Sequence, residues 1–380
     1  MNTDPILFTP DVQVYNPLEL LCFNLSAGRY IRPADNHLWQ ELNELLNWEN
    51  IILKGYQSDL CPLFHYIIEK QLPEKTFYEK LEFIKSSQVT TKQIKKTVKT
   101  FYYYNLSRNM RIFQALDKIL EILNTEKIPV ILLKGVDIAQ TCYPDIALRP
   151  MSDIDILVDK CDIQLAEAMI QDLGFSKKKA DSHSRHSFHT SYVKTDEYLQ
   201  LTVEIHWDLV NPIFFSRIDL PLMWSQAEIH SRGKNTFMTF CAEDSFLYLC
   251  WHGCRHGYSR LIWIYDIALL IKNNNNIDIE KLYNYSKKIK FGNYLKFSMV
   301  LILKLLGDDT ISTKKINRIN INKLNKIESI FVKIHKSKLK NKSIKKYINL
   351  LSIQLFDTIH IKINHIVTRI FLKIKIPLNR

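Results

Sequence analysis

Between residues 129 and 207 the chain switches repeatedly between apolar repeats of two residues and apolar repeats of three to four. Pro129-Val130-Ile131-Leu132-Leu133 is an apolar, partly β-branched run of strand length that breaks at Lys134-Gly135 and gives way to helical spacing. It predicts a strand, a tight turn and a helix start. Asp153-Ile154-Asp155-Ile156-Leu157-Val158 alternates carboxylate with aliphatic before merging into an apolar run, and predicts a strand over 153–158. Leu199 to Trp207 alternates again, with Val203, Ile205 and Trp207 on one face and Thr202, Glu204 and His206 on the other. Between these strands the spacing predicts a helix near 136–143 and another over 164–173, closed by Gly174 as its C-cap.

Upstream, residues 87–124 predict one long helix with apolar positions 101, 106, 112, 113, 116, 119, 120 and 123 on a single stripe. Its Tyr102-Tyr103-Tyr104 cluster has the chemistry to stack on a base, but a stripe of this kind is the usual signature of core and groove lining. Downstream, Asn211-Pro212 ends the sheet, 244–271 are helical with interruptions near Gly253 and Gly257, and an Asn run at 273–276 leads into helices over 278–290 and 292–306. The expected fold is α+β: a small mixed β-sheet core flanked by helices, with helical N- and C-terminal regions. The chain divides into an N-terminal helical region (1–95), the sheet core (96–225), a helical domain that completes a cleft (226–310) and a basic Ile/Lys/Asn-rich tail (311–380).

The period of the second strand carries the chemistry. Residues i and i+2 share a face, so Asp153 and Asp155 project together while Ile154 and Ile156 turn inward. Two half-buried carboxylates repel unless a cation sits between them, and a hard, oxygen-seeking ion such as Mg²⁺ is the natural partner. A lone Asp-x-Asp is more often a solvated pair on an edge strand. Two further features shift the balance: Glu204 offers a third carboxylate, and the Lys134-Gly135 turn offers an ammonium and backbone amides at a helix start, which suit an anion.

These motifs resemble the nucleotidyltransferase superfamily typified by DNA polymerase beta. LLKG at 132–135, Tyr143, Arg149, Asp153-Ile154-Asp155, Leu173-Gly174-Phe175 and Val203-Glu204-Ile205-His206-Trp207 resemble more closely its bacterial NTP-transferase-5-like branch. The similarity continues through Trp251-His252, His256, Leu261-Ile262-Trp263 and Asp266, and so spans roughly 100–271. It implies transfer of a nucleoside monophosphate from an NTP to an acceptor hydroxyl, with release of pyrophosphate. Asp153, Asp155 and Glu204 would hold Mg²⁺ or Mn²⁺, Lys134 and the Gly135 amide would take the β- and γ-phosphates, and Arg149 would offset developing charge. In the resemblance Asp266 is a structural cap or pair, and His206 either orients a ligand carboxylate or is a satisfied structural residue. The wider superfamily carries Gly-Ser at the phosphate turn, whereas here Lys134-Gly135 is followed by Val136, which leaves no hydroxyl there.

Composition narrows the setting. With 46% apolar and 24% charged residues the chain is an ordinary globular one rather than disordered. The N-terminus lacks a basic segment before its short apolar patch, and no apolar run approaches the ~20 residues that span a bilayer, so a cytoplasmic protein without a transmembrane segment is expected. Seven scattered Cys give no disulfide framework. Cys250-Trp-His252-Gly-Cys254-Arg-His256 invites a zinc reading, but on a helix the two Cys and the two His fall on different faces. His183, His186 and His189 read as metal ligands, a gate or a solvated loop, with His189 nearest the sheet.

The net charge of +13 is concentrated: 311–380 carry 17 Lys and Arg against Glu328 and Asp357, while 1–310 are near neutral. A near-neutral core argues against a long nucleic-acid track and favours a small molecule, peptide or protein as acceptor, with RNA contact through the basic tail as the counter-reading. The rival to an enzyme is a catalytically silent nucleotide- or RNA-binding protein on the same fold.

Overall fold

The computed structural model describes residues 48–71, 91–178, 188–195, 199–210, 218–274 and 276–306. The expectations for 1–47, the tail 311–380, His183, His186 and Asn211-Pro212 lie outside the described residues. The helices are α1 (Trp48–Gln57), α2 (Cys61–Tyr66), α3 (Thr91–Thr125), α4 (Lys134–Thr141), α5 (Ile163–Asp172), α6 (Leu220–Ser225), α7 (Ala242–Arg255), α8 (Ile262–Asn273), α9 (Ile279–Lys288) and α10 (Gly292–Leu306). The strands are β1 (Ile131–Leu133), β2 (Ile154–Leu157), β3 (Ser176–Lys177), β4 (His189–Thr195), β5 (Gln200–His206), β6 (Glu228–Arg232) and β7 (Asn235–Thr239).

The seven strands form one mixed sheet in the order β3-β4-β5-β2-β1-β7-β6. β2 is parallel to β5 and antiparallel to β1, and β1 is parallel to β7. Period two sorts the side chains into two cores. Leu132, Ile154, Ile156, Val203 and Ile205 are fully buried and pack with Ile112, Leu116 and Leu120 of α3 and with Ala166 and Ile170 of α5. Ile131, Leu133 and Leu157 face the other way and join the core built by α7 to α10. Each such aliphatic side chain contributes about 1.5–3 kcal/mol on burial, so a slip of register by one residue would forfeit both cores at once.

Three departures from the expected pattern stand out. The hairpin β6–β7 was not expected, because Ile229 is 74% exposed and Glu228-Ile-His-Ser-Arg232 offers no apolar alternation to read. Gly233, at φ +60, makes its turn, and β7 returns to the sheet through the bond from the Met238 amide to the Val130 carbonyl (2.8 Å). The tyrosine cluster expected in the core is instead largely outside: Tyr103 and Tyr104 are 53% and 65% exposed, and Tyr102 donates to Asp145. The buried stripe of α3 runs through Asn105 and Asn109 instead, whose amides hold the carbonyls of Ala147 (2.5 Å), Ile146 (2.5 Å) and Arg149 (2.8 Å). The turn that delivers β2 is thereby fixed to α3. Finally, α7 runs unbroken through Gly253 and ends before Gly257, where φ is +62.

The end of α5 follows the expectation at Gly174, whose φ is +84. Its amide bonds to the Gln171 carbonyl (2.8 Å) and the Phe175 amide to the Ile170 carbonyl (3.3 Å), the paired bonds of a Schellman motif. Gly174→Ala places a β-carbon in left-handed backbone, and we expect a loss of about 1–2 kcal/mol, read as a lower urea midpoint with unchanged slope.

Candidate active site

Three strand positions and one turn converge on the face of the sheet that looks toward α7. Asp155 lies opposite Glu204 in the parallel register of β2 and β5, and Leu133 lies opposite Asp155 on the other side. Side chains aligned in this way share a face, and the alternation puts His206, two residues beyond Glu204, on it as well. Oxygen atoms of Asp155 and Glu204 and a ring nitrogen of His206 all lie within 4.8 Å of one another. His206 Nε2 is 2.9 Å from Asp155 Oδ1 and 3.4 Å from Glu204 Oε2. On the next strand, Ser191 Oγ is 3.3 Å from Glu204 Oε1, and His189 stacks on His206 with ring centroids 4.9 Å apart.

The turn supplies the cation. After the extended Leu133, Lys134 adopts φ +52, a left-handed conformation that is costly for a residue with a β-carbon and that recurs at functional sites. It places Nζ 2.6 Å from Asp155 Oδ1 and 3.9 Å from Glu204 Oε2. Gly135 is required by close approach: a β-carbon there would lie 3.1 Å from Arg149 Nη1 and 3.3 Å from Met151 Cγ.

Burial alone would raise the Asp155 pKa, but Lys134 and the hydrogen bond to His206 hold it well below the usual carboxylate range. Burial likewise works against the low Glu204 value, which the His206 bond, Lys134 and His189 nevertheless maintain. Lys134 is pushed above its ordinary range by Asp155, against its burial. The carboxylates and the ammonium are thus all charged.

Asp153 is the outer carboxylate of the group, within electrostatic reach of Asp155, Lys134 and Glu204. It precedes β2, is only half-buried, and does not belong to the 4.8 Å cluster. Burial, then the charge of Asp155, pushes its carboxyl up to about 6. A carboxyl whose pKa is raised on folding takes up its proton earlier in the folded state, so its contribution destabilises the fold as pH rises from about 4 through about 6. We expect Asp153→Asn to flatten that part of the stability–pH curve measured without divalent ions.

Arg149 is 6% exposed and its guanidinium faces the helical half of the molecule, not the acid cluster. Nη2 and Nε reach Asp266 at 2.7 and 3.3 Å, Nη1 donates to the Pro150 carbonyl (2.8 Å), and Tyr143 Oη adds a bond to Asp266 (2.8 Å). Asp266 is therefore a structural pair for Arg149, and the triad joins the sheet to α8.

Sequence reasoning expected a helical domain to complete the cleft but did not single out Tyr248 and Arg255 in the wall opposite the acids. Tyr248 and Arg255 of α7 lie within electrostatic reach of Lys134 or the site imidazoles, and the Arg255 guanidinium lies over the rings of Phe188 (5.1 Å) and Trp251 (5.2 Å). His252 and His256 are 4.7 Å apart and pack on Trp263 at 5.1 and 5.4 Å. Burial holds His189 to about 4 and His252 well below its ordinary value, so these two rings are neutral at physiological pH, while His256 and the cationic Arg255 stand exposed at the end of α7. Cys250 and Cys254 point away into the core, with Cys254 Sγ 3.6 Å from Ser298 Oγ, which separates the cysteines from the imidazoles. The signal was present in Trp251-His252 and His256, but without a fold it could not be aimed.

The donor set fits a hard divalent ion. Two ionised carboxylates on adjacent strands, with Asp153 within electrostatic reach of both, supply the oxygen donors that such an ion takes. His206 suits the role of orienting them: its buried Nδ1 has no hydrogen-bond partner among the described residues, so the proton belongs on Nε2, facing Asp155.

A mixed sheet whose central parallel strands present facing carboxylates beside a lysine-bearing strand-to-helix turn has the architecture of a nucleotidyltransferase. Residues 63–307, well over half of the chain, match the model of a family described as uncharacterised nucleotidyltransferase, and the chain belongs to that family. No curated protein and no solved structure matches it significantly. Among the described residues no helix is long and apolar enough to cross a membrane.

Proposed function

We propose that the protein transfers a nucleoside monophosphate from an NTP to an acceptor hydroxyl, with release of pyrophosphate. The observation that carries this reading is the direct opposition of Asp155 and Glu204 on adjacent parallel strands, with the Lys134 ammonium within 4 Å of both. Asp153, Asp155 and Glu204 would hold Mg²⁺ or Mn²⁺, which when bound neutralises triphosphate charge and acidifies a nearby hydroxyl. Lys134 and the Gly135 amide bind the β- and γ-phosphates. Arg149 acts through position, because its guanidinium is committed to Asp266 and backs the Gly135 turn.

As the acceptor oxygen bonds to the α-phosphorus, the bond from that phosphorus to the pyrophosphate oxygen breaks. The acceptor proton passes to Glu204, whose Oε1 side is open to Ser191 and His189. Glu204 is a weak base at its lowered pKa, so alignment and charge compensation account for most of the rate. The packed rings of His252, His256 and Trp263 give a nucleobase an aromatic surface, with the Arg255 cation beside it. A cytoplasmic setting accords with the free Cys61, Cys142, Cys161, Cys241, Cys250 and Cys254.

One observation favours the silent-scaffold alternative: Lys134 at 2.6 Å already compensates Asp155 without an ion. The test is incubation with α-labelled NTPs, Mg²⁺ or Mn²⁺ and cell extract. Stoichiometric pyrophosphate release with label on an acceptor supports the transferase; NTP binding without turnover supports the scaffold.

A further inference from the structure

A cavity of about 580 Å³ opens beside the start of α7 and is lined, among others, by Cys241, Glu243, Asp244, Asp278, Lys281 and Tyr285. Its size is that of a small-molecule site. Three carboxylates face one ammonium, so the interior is electronegative. Asp278 is held at the rim as the N-cap of α9, accepting from the Glu280 and Lys281 amides (3.0 Å each).

Asp244 makes this more than an acidic patch. It is 6% exposed, its Oδ2 is buried with no hydrogen-bond partner among the described residues, and the neighbouring Cys241 thiol, a weak donor, favours its charge only in part. A buried carboxylate oxygen left without a donor is costly unless a ligand supplies one. The burial that deprives it of water also raises its pKa, a cost that a bound ammonium would relieve.

The cavity is linked to the acid site through α7. Asp244 and Tyr248 are one turn apart on α7 and together line a second, narrower cavity with Met223 and Tyr285, both of which also line the first. The Tyr248 phenol is in turn within electrostatic reach of Lys134, Asp155 and Glu204.

We propose that this cavity binds a small ammonium-bearing molecule and, given the transfer reaction proposed above, that it is the subsite of an amine-bearing acceptor. Asp244 and Glu243 pair with the ammonium groups, and the acceptor hydroxyl extends past Tyr248 toward Glu204.

The test is calorimetric titration of the full chain, without nucleotide or metal, with trans-1,4-diaminocyclohexane, trans-4-aminocyclohexanol and trans-1,4-cyclohexanediol, which share one ring and differ in charge. We expect affinity to fall from diamine to amino alcohol to diol. Asp244→Asn and, separately, Glu243→Gln at the half-buried rim should each weaken diamine binding about tenfold. Equal affinity for diamine and diol, or diamine binding unchanged in both variants while circular dichroism shows them folded, overturns the proposal. Supplying the amino alcohol with α-labelled NTP and Mg²⁺ separates the two claims. Binding with label transfer supports both, and binding with no turnover on any acceptor supports the cation site while overturning the transferase reading.

Discussion

Asp155→Asn is expected to lower the transfer rate by about 10³-fold or more while the protein stays folded. Asparagine keeps the shape of the side chain, and the site that receives it is rigid: Asp155 is 2% exposed and pinned between β1 and β5. What it removes is the charge to which Lys134 and His206 are both directed, at 2.6 and 2.9 Å. Without that charge the His206 proton has only Glu204 to address, at 3.4 Å, and the Lys134 ammonium is 3.9 Å from its remaining partner. Nucleotide affinity should change far less than turnover, because the Lys134 ammonium and the turn amides remain. The loss therefore belongs in kcat, read by single-turnover label transfer at saturating NTP. An NTP-binding protein with no turnover in either form, or full turnover in the variant, would remove Asp155 from the chemistry. Stability should fall as well, toward the low end of the ~3–5 kcal/mol typical of a broken buried pair, since Glu204 remains to share the lysine.

The strands carrying this site were legible because period two is a strong signal where one face is fully buried. Ile154, Ile156, Val203 and Ile205 are all completely enclosed, and their spacing alone sets Asp155, Glu204 and His206 on the opposite face. Gly174 was legible for the same reason, since a helix stripe ending on a glycine has few alternative readings. Asp153 shows the limit of the same argument. Alternation placed it beside Asp155, but the strand begins only at Ile154, so the period that fixes Asp155 does not by itself fix Asp153, whose carboxyl feels Asp155, Lys134 and Glu204 without joining the 4.8 Å group. Lys134 was read as a phosphate ligand and not as a partner of Asp155, because that contact depends on its left-handed backbone, which local propensity disfavours. Arg149 was read toward the phosphates because nothing in the order of residues reveals that Asp266, 117 positions later, has claimed it. The buried Asn105 and Asn109 were invisible for a related reason: their partners are backbone carbonyls of a distant turn, and no side-chain pattern reports those.

That pairing underlies the second large effect. Asp266→Ala should destabilise the fold by about 3–5 kcal/mol, a substantial part of the total stability of a typical domain, because it leaves the Arg149 guanidinium buried against only the Pro150 carbonyl. The side chains are 7% and 0% exposed, so water cannot replace the lost carboxylate. At this chain length the loss corresponds to a drop in Tm of about 5 °C, measurable by differential scanning calorimetry. If the cost is that of a stranded charge, removing the arginine too should return much of it, and Asp266→Leu with Arg149→Met should be clearly more stable than Asp266→Ala. Activity separates the two roles that Arg149 has been given. Were it a phosphate ligand, the double variant would lose NTP affinity in proportion to a missing charge, raising KM. As the support behind Gly135, at 3.1 Å from where a β-carbon would stand, it should instead let the strained Lys134 turn relax and lower kcat with KM little changed.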